Sequence, residues 1–97
     1  MEEGELQRAL EAILFAAGEP VEVARLAMTL ETDPSDIEKA LEDLSGQLSF
    51  DRRGVRILKL ENAYQMVSSG EMADYVTKAL ETRKPPKLSA SQLETLT

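Results

Sequence analysis

Serines, for example Ser45, Ser68 and Ser69, and two carboxylates one helical turn apart, Glu38 and Glu42, are side chains whose types could do covalent or acid–base chemistry. A serine nucleophile needs a neighbouring base to take its proton, and near neutral pH that base is most often histidine. The 97-residue chain contains no His and no Cys. Serine–histidine pairs, thiol catalysis, disulfides and cysteine-based zinc sites are all removed at once. Paired carboxylates can divide acid and base roles only where an apolar pocket splits their pKa values. No such pocket is evident around Glu38 and Glu42, and no glycine-rich phosphate cradle is visible. An enzyme is the class with least support, and no cofactor, metal or small molecule is expected.

What remains is electrostatics. Arg52, Arg53, Arg56 and Lys59 crowd into one short stretch of a chain whose net charge is −7. An acidic chain is repelled by nucleic acid unless its cations are gathered into a patch. Four such cations could support weak, salt-sensitive phosphate contact. They could equally line an exposed edge strand, where cations discourage stray strand pairing. The second reading is preferred, and Arg83, Lys84 and Lys87 are read as solvating.

These side chains must be positioned by a small set of elements. Leu6, Leu10, Ile13, Leu14 and Ala17 recur on one helical face, predicting a helix over Glu3–Ala17 that Gly18 and Pro20 end. Glu2, Glu3 and Glu5 favour its N-terminal dipole. Val23, Leu26, Ala27 and Leu30 predict a second helix of about two turns. Asp33 as N-cap and Pro34 at the first helical position open a third, with Ile37, Ala40, Leu41, Leu44 and Leu48 inward. Gly46 costs about 1 kcal/mol inside a helix, so the last turn of the third is expected to fray.

Past Gly54 the texture changes. VRILKL (Val55–Leu60) and YQMV (Tyr64–Val67) predict two strands, joined at Glu61-Asn62-Ala63 with Asn62 able to take a positive φ. Met72, Tyr75, Val76, Ala79 and Leu80 return to helical spacing. TRKPPKL (Thr82–Leu88) has the composition of a stiff linker. In SASQLETLT, Ser89 and Gln92 form a capping box ahead of Leu93 and Leu96. The expected organisation is one domain over residues 1–82, a Pro-rich linker over 83–88, and over 89–97 the opening turns of a second domain, with a frayed C-terminal tail as the alternative. The apolar run Ala12–Ala17 is too short to span a bilayer and lacks a signal peptide's flanks. A cytoplasmic protein is the expectation.

Three helices, a hairpin and a fourth helix give a mostly α, α+β fold of the winged helix-turn-helix type. In that fold the third helix enters the DNA groove, normally presenting cations, amides or hydroxyls. Here its outward face carries Asp36, Glu38, Glu42 and Asp43 against a single Lys39. Carboxylates meet phosphates and base acceptors with like charge, so a DNA-binding regulator is the alternative and protein binding the preferred reading. Tyr64, Met66, Met72, Tyr75, Val76 and Leu80 supply more apolar surface than solubility requires, and Met and Tyr are enriched at interfaces. They are the candidate interface residues. Helix one, through Leu6 and Leu10, is the alternative surface.

The segments LEAILFAAGEPV (Leu10–Val21), AYQMVSS (Ala63–Ser69) and KALETRKPPKLSASQLETL (Lys78–Leu96) together closely resemble the segregation and condensation protein B family. Glu22, where a capping Ser or Thr is usual, and Asn62-Ala63, at a turn often richer in Gly, depart from it. The resemblance implies an accessory subunit without catalytic activity or cofactor, built from tandem winged-helix domains. It implies a homodimer formed chiefly through the N-terminal domain. It also implies a grip on the kleisin subunit, segregation and condensation protein A (ScpA), and through it a link to the SMC ATPase. Chromosome condensation and partition would be the process, in the cytoplasm and associated with the nucleoid through the complex. No direct sequence-specific DNA binding and no membrane contact are implied.

Overall fold

The computed structural model describes residues 2–83. The first helix, α1, spans Glu3–Ala17 and stops at Gly18, whose φ of 66° lets its N–H reach the Leu14 carbonyl at 3.3 Å. A two-residue strand β1, Val21–Glu22, follows directly. Helix α2 covers Val23–Leu30 and α3 covers Pro34–Phe50. The hairpin is β2, Val55–Leu60, and β3, Ala63–Ser68. One 3-10 turn, Gly70–Met72, leads into α4, Ala73–Arg83. This is a winged helix with a three-stranded antiparallel sheet in the order β1-β3-β2.

β1 escapes a periodicity argument because two residues carry no period. It forms because Val21 pairs with Tyr64 and Glu22 with Ala63, and the Val23 N–H donates to the Asn62 carbonyl at 2.9 Å. Its capture leaves β2 as the open edge, and both Arg56 and Lys59 lie on it.

The core is aliphatic. Leu6, Leu10 and Leu14 of α1 meet Val23 and Leu26 of α2 and Ile37, Ala40 and Leu41 of α3, and Tyr64 of β3 closes the cluster. Ile57 and Met66 face each other across β2 and β3 and pack on its rim. Burying each of these aliphatic side chains is worth about 1.5–3 kcal/mol.

Three local expectations are corrected. Asp33 holds the N-cap position of α3, but its side chain makes no capping hydrogen bond; its backbone carbonyl accepts from Ile37 N–H at 3.0 Å instead. The hairpin closes over Glu61-Asn62 without a positive φ at Asn62, since the non-glycine residues with positive φ are Glu31 and Arg52. Gly46 does not fray α3, which continues to Phe50 because Leu44 and Leu48 on either side of it are both buried. The helix ends where Arg52, at φ 52°, turns the chain. The N–H groups of Arg52 and Arg53 then donate to the Ser49 and Leu48 carbonyls at 3.1 and 2.9 Å, which satisfies two otherwise orphaned acceptors. Arg83, expected to open the linker, is instead the last residue of α4; residues 84–88 of the linker and the opening of a second domain lie outside the described residues.

The glycine yields a first prediction. No atom lies within 4 Å of a Cβ built on Gly46, so an added methyl meets nothing. Gly46→Ala is expected to stabilise the domain by about 0.5–1 kcal/mol. A rise in urea midpoint with unchanged slope checks it.

Candidate protein-binding surface

The outward face of α3 is as acidic as its sequence suggests. Asp36, Glu38, Glu42 and Asp43 are all exposed, with Lys39 among them. Ser45 is half-buried, Ser68 exposed, and Ser69 buried in a structural role: its hydroxyl accepts from the Glu71 N–H at 3.3 Å. Its own N–H donates to the Gly54 carbonyl at 2.7 Å. The serine best sheltered from water is thus a cap. Among the described residues no cluster of carboxylates has the arrangement to hold a metal ion, and no helix is long and apolar enough to cross a membrane.

At the wing, Arg52 and Arg53 are exposed at the end of α3. The Arg56 guanidinium is spent locally, donating to the carbonyls of Arg53 and Val55. That ties down the turn entering β2 and removes one of the four cations from free display.

The six candidate interface residues divide. Tyr64 is 2% exposed and belongs to the core. Its hydroxyl is buried without a hydrogen-bond partner among the described residues. Burial pushes the phenol pKa up, Lys59 opposite it on β2 pulls it down by its charge and by a side-chain hydrogen-bonding contact too loose to satisfy the hydroxyl, and Glu38 and Glu42 on α3 raise it again. Met66 is half-buried against the core. Parity along β3 explains both: residues i and i+2 share a face, and that face looks inward. Leu6 and Leu10 are also buried, so α1 does not offer them as a surface.

The residues of the 3-10 turn and α4 are different. Met72, Tyr75 and Leu80 are exposed, Tyr75 by 72% and Leu80 by 51%. Val76 is half-buried, and no residue from Ala73 to Glu81 is buried. The helix leaves the body with its apolar stripe uncovered.

Two exposed aromatics escaped the sequence reading, Phe50 at the end of α3, 87% exposed, and Phe15. Phe15 is 76% exposed and borders a groove of about 360 Å³ lined by Arg8, Glu11, Ala12, Val55 and Met66. The spacing 8, 11, 12, 15 is a helical stripe of its own, pointing away from Leu6, Leu10 and Leu14. A helical-wheel placement of Phe15 would have found it. Leu58 and Leu60, on the opposite sheet face from Ile57, are exposed as well.

Comparison with known proteins gives this geometry a relationship. Residues 8–97 match the model of the family "Segregation and condensation complex subunit ScpB". Segregation and condensation protein B of Clostridioides difficile is 35% identical over 99 aligned residues, covering 100% of this chain and 55% of that protein. Its counterpart in Moorella thermoacetica is 38% identical over 91, covering 94% and 46%. The chain therefore spans about half the length of the curated relatives it matches. ScpB from Mycobacterium tuberculosis superposes with a TM-score of 0.84 at 26% identity, over 93% of this chain and 56% of that one. A solved dimer of the ScpB N-terminal domain complexed with an ScpA peptide superposes at 0.70, again 26% identical, over 75% of this chain and 91% of that one. A family match across nearly the whole chain, on a winged helix of this element order, means that the chain belongs to the ScpB family of segregation and condensation complex subunits.

Proposed function

We propose that this chain is a non-catalytic interaction module of an SMC–kleisin complex. It pairs with a second copy of itself, grips the kleisin ScpA, and through ScpA is joined to the SMC ATPase for chromosome condensation and partition. It works in the cytoplasm, on the nucleoid only through its partners. The observation that carries this reading is the exposure of Met72 in the 3-10 turn and of Tyr75 and Leu80 on α4, with Val76 half-buried beside them, on a body whose helix-three face is anionic. Apolar burial supplies the attraction between copies, and charge at the rim selects partners. The DNA-facing alternative is weakened twice, by carboxylates on α3 and by the local engagement of Arg56. Kinship with a protein solved as a dimer on an ScpA peptide supports the same assignment.

The test is a pull-down of residues 1–97 against ScpA, paired with light scattering on the free chain. A solution mass twice that of one chain, and retention of ScpA, are expected. A monomer that leaves ScpA in the flow-through overturns the proposal. Duplex DNA offered at low salt, where phosphate contacts are strongest, is expected to give no shifted band.

A further inference from the structure

We propose that the outward face of α3 docks a cationic, arginine-bearing segment of a further partner protein, seated in the groove between α3 and the start of α1 beside Phe50. The site needs neither the pairing of copies nor the grip on ScpA, and it lies on the face that excludes nucleic acid.

The ring comes first. Among the described residues, the large apolar side chain most exposed to water is Phe50, at 87%. It ends α3 beyond the last buried position of that helix, Leu48, so the core does not ask for a ring there. Phe50 borders a groove of about 650 Å³. Gly4 and Gly46 line the same groove, and a Cβ built on either meets no atom within 4 Å. Its wall is therefore open backbone that another chain can approach closely. Across it Gln47 Nε2 donates to Gln7 Oε1 at 3.2 Å, which ties α3 to α1 and fixes the width.

Charge then selects the occupant. Glu3, Glu42, Asp43 and Asp51 line the groove, and no Lys or Arg is among the described residues that do. Four carboxylates around one ring repel each other until a cation comes between them. Carboxylates alone would draw any cation, but the ring narrows the choice. A guanidinium is weakly hydrated and planar, so it can stack on an aromatic face while its edge donates to carboxylates. A second feature of the same helix face points the same way. Glu38 and Glu42 raise the phenol pKa of Tyr64, which places its hydroxyl beside them. That hydroxyl is buried without a hydrogen-bond partner among the described residues. Two carboxylates and a phenol oxygen are acceptors short of donors, and a guanidinium brings five N–H donors in a fixed fork. Eight positions of α3 separate Glu42 from Phe50, about 12 Å along the helix. A segment carrying two arginines that far apart engages both ends.

The competing occupant is a second copy of this chain, whose Arg52 and Arg53 are exposed at the wing. Fluorescence anisotropy of the intact chain with a short labelled peptide, three arginines in an alanine–glutamine background, tests the site. The parent is expected to bind it at least about 3-fold more tightly than the peptide with lysines at the same places. Phe50→Ala leaves the net charge at −7 and is expected to weaken binding about 10-fold. Glu42→Gln with Asp43→Asn is expected to weaken it about 10-fold as well. Glu11→Gln with Glu19→Gln removes the same charge from exposed positions elsewhere, and is expected to change binding less than about 2-fold, since exposed charges further than a Debye length are screened. All five positions are exposed, so thermal midpoints are expected to hold. A parent that does not bind, a Phe50→Ala chain that binds as well as the parent, or equal losses in the two neutralised chains overturns the docking site. Peptide that splits paired chains gives the groove to a second copy, and loss of ScpA by the Phe50→Ala chain gives it to the kleisin; either result overturns a further partner. A parent that binds the peptide yet is monomeric and releases ScpA defeats the proposed function instead, so the two failures are distinguishable.

Discussion

Replacing Leu41 with alanine is expected to cost the domain about 3 kcal/mol, within the range for emptying a well-packed leucine site. Leu41 is completely buried on α3 and belongs to the cluster that joins α1, α2 and β3. A domain of this size has a total stability of about 5–10 kcal/mol, so this one change removes a large fraction of it. Urea denaturation followed by circular dichroism is expected to show a midpoint lower by about 2–3 M, given slopes of about 1 kcal/mol/M for small domains. The control is Leu80→Ala on α4, exposed by 51%, which is expected to move stability by less than about 0.5 kcal/mol. A Leu41 variant that loses under about 1 kcal/mol would mean that α3 is not docked as described.

The second large effect concerns Tyr64, where one of two substitutions is expected to be strongly destabilising and the other not. Tyr64→Ala removes the ring that closes the core beside the sheet and is expected to cost about 3–4 kcal/mol. Tyr64→Phe keeps the ring and deletes a hydroxyl that is buried without a partner. Relief of an unsatisfied polar group makes that change neutral or stabilising, by up to about 1 kcal/mol. The same residue sets an alkaline limit. Its phenol is harder to ionise in the folded chain, chiefly because burial disfavours the phenolate. Above pH about 10, where a free phenol ionises, the unfolded chain loses this proton first and the folded state loses ground. Below that pH the term is fully present. In the Phe variant it is absent, so the stability difference between parent and variant should shift toward the variant as pH rises from 9 to 11, by roughly 1 kcal/mol for each unit of displaced titration. A constant difference across that interval would place the phenol in water.

How far the sequence could be read depended on how many residues shared each signal. α1, α2 and α3 were legible because four or five apolar side chains recur at helical spacing in each, and Gly18 and Pro34 mark an end and a beginning. β2 was legible from its β-branched and apolar run. β1 was not, since a two-residue strand exists only through its pairing with Tyr64 and Ala63.

Within the candidate surface the error was one of facing. Tyr64 and Met66 were grouped with Tyr75 and Leu80 on apolarity alone, whereas strand parity places the first two inward on the core side of β3. Fixing that inward face needed knowledge of which sheet face α1 covers, and that is a tertiary fact. Phe15 was overlooked for the converse reason. It lies inside an apolar run, Ala12–Ala17, that reads as core unless each residue is placed around the helix. The exposed α4 stripe was legible as a helix, while its freedom from the body became visible only in three dimensions.

The attachment of α4 has a mechanical consequence. Ser69 is buried and held twice, by its N–H on the Gly54 carbonyl and by its hydroxyl beneath the Glu71 N–H, whereas none of the residues 73–81 that follow the Gly70–Met72 turn is buried. A stiff rod bolted at one end keeps its origin and varies only in bearing. Over 11 residues at a rise of 1.5 Å each, a swing of about 20° carries the tip through roughly 5–6 Å. The pivot therefore turns small angular fluctuations at one serine into a wide search radius at the far end, and capture of that end would halt the search without any rearrangement of the hub.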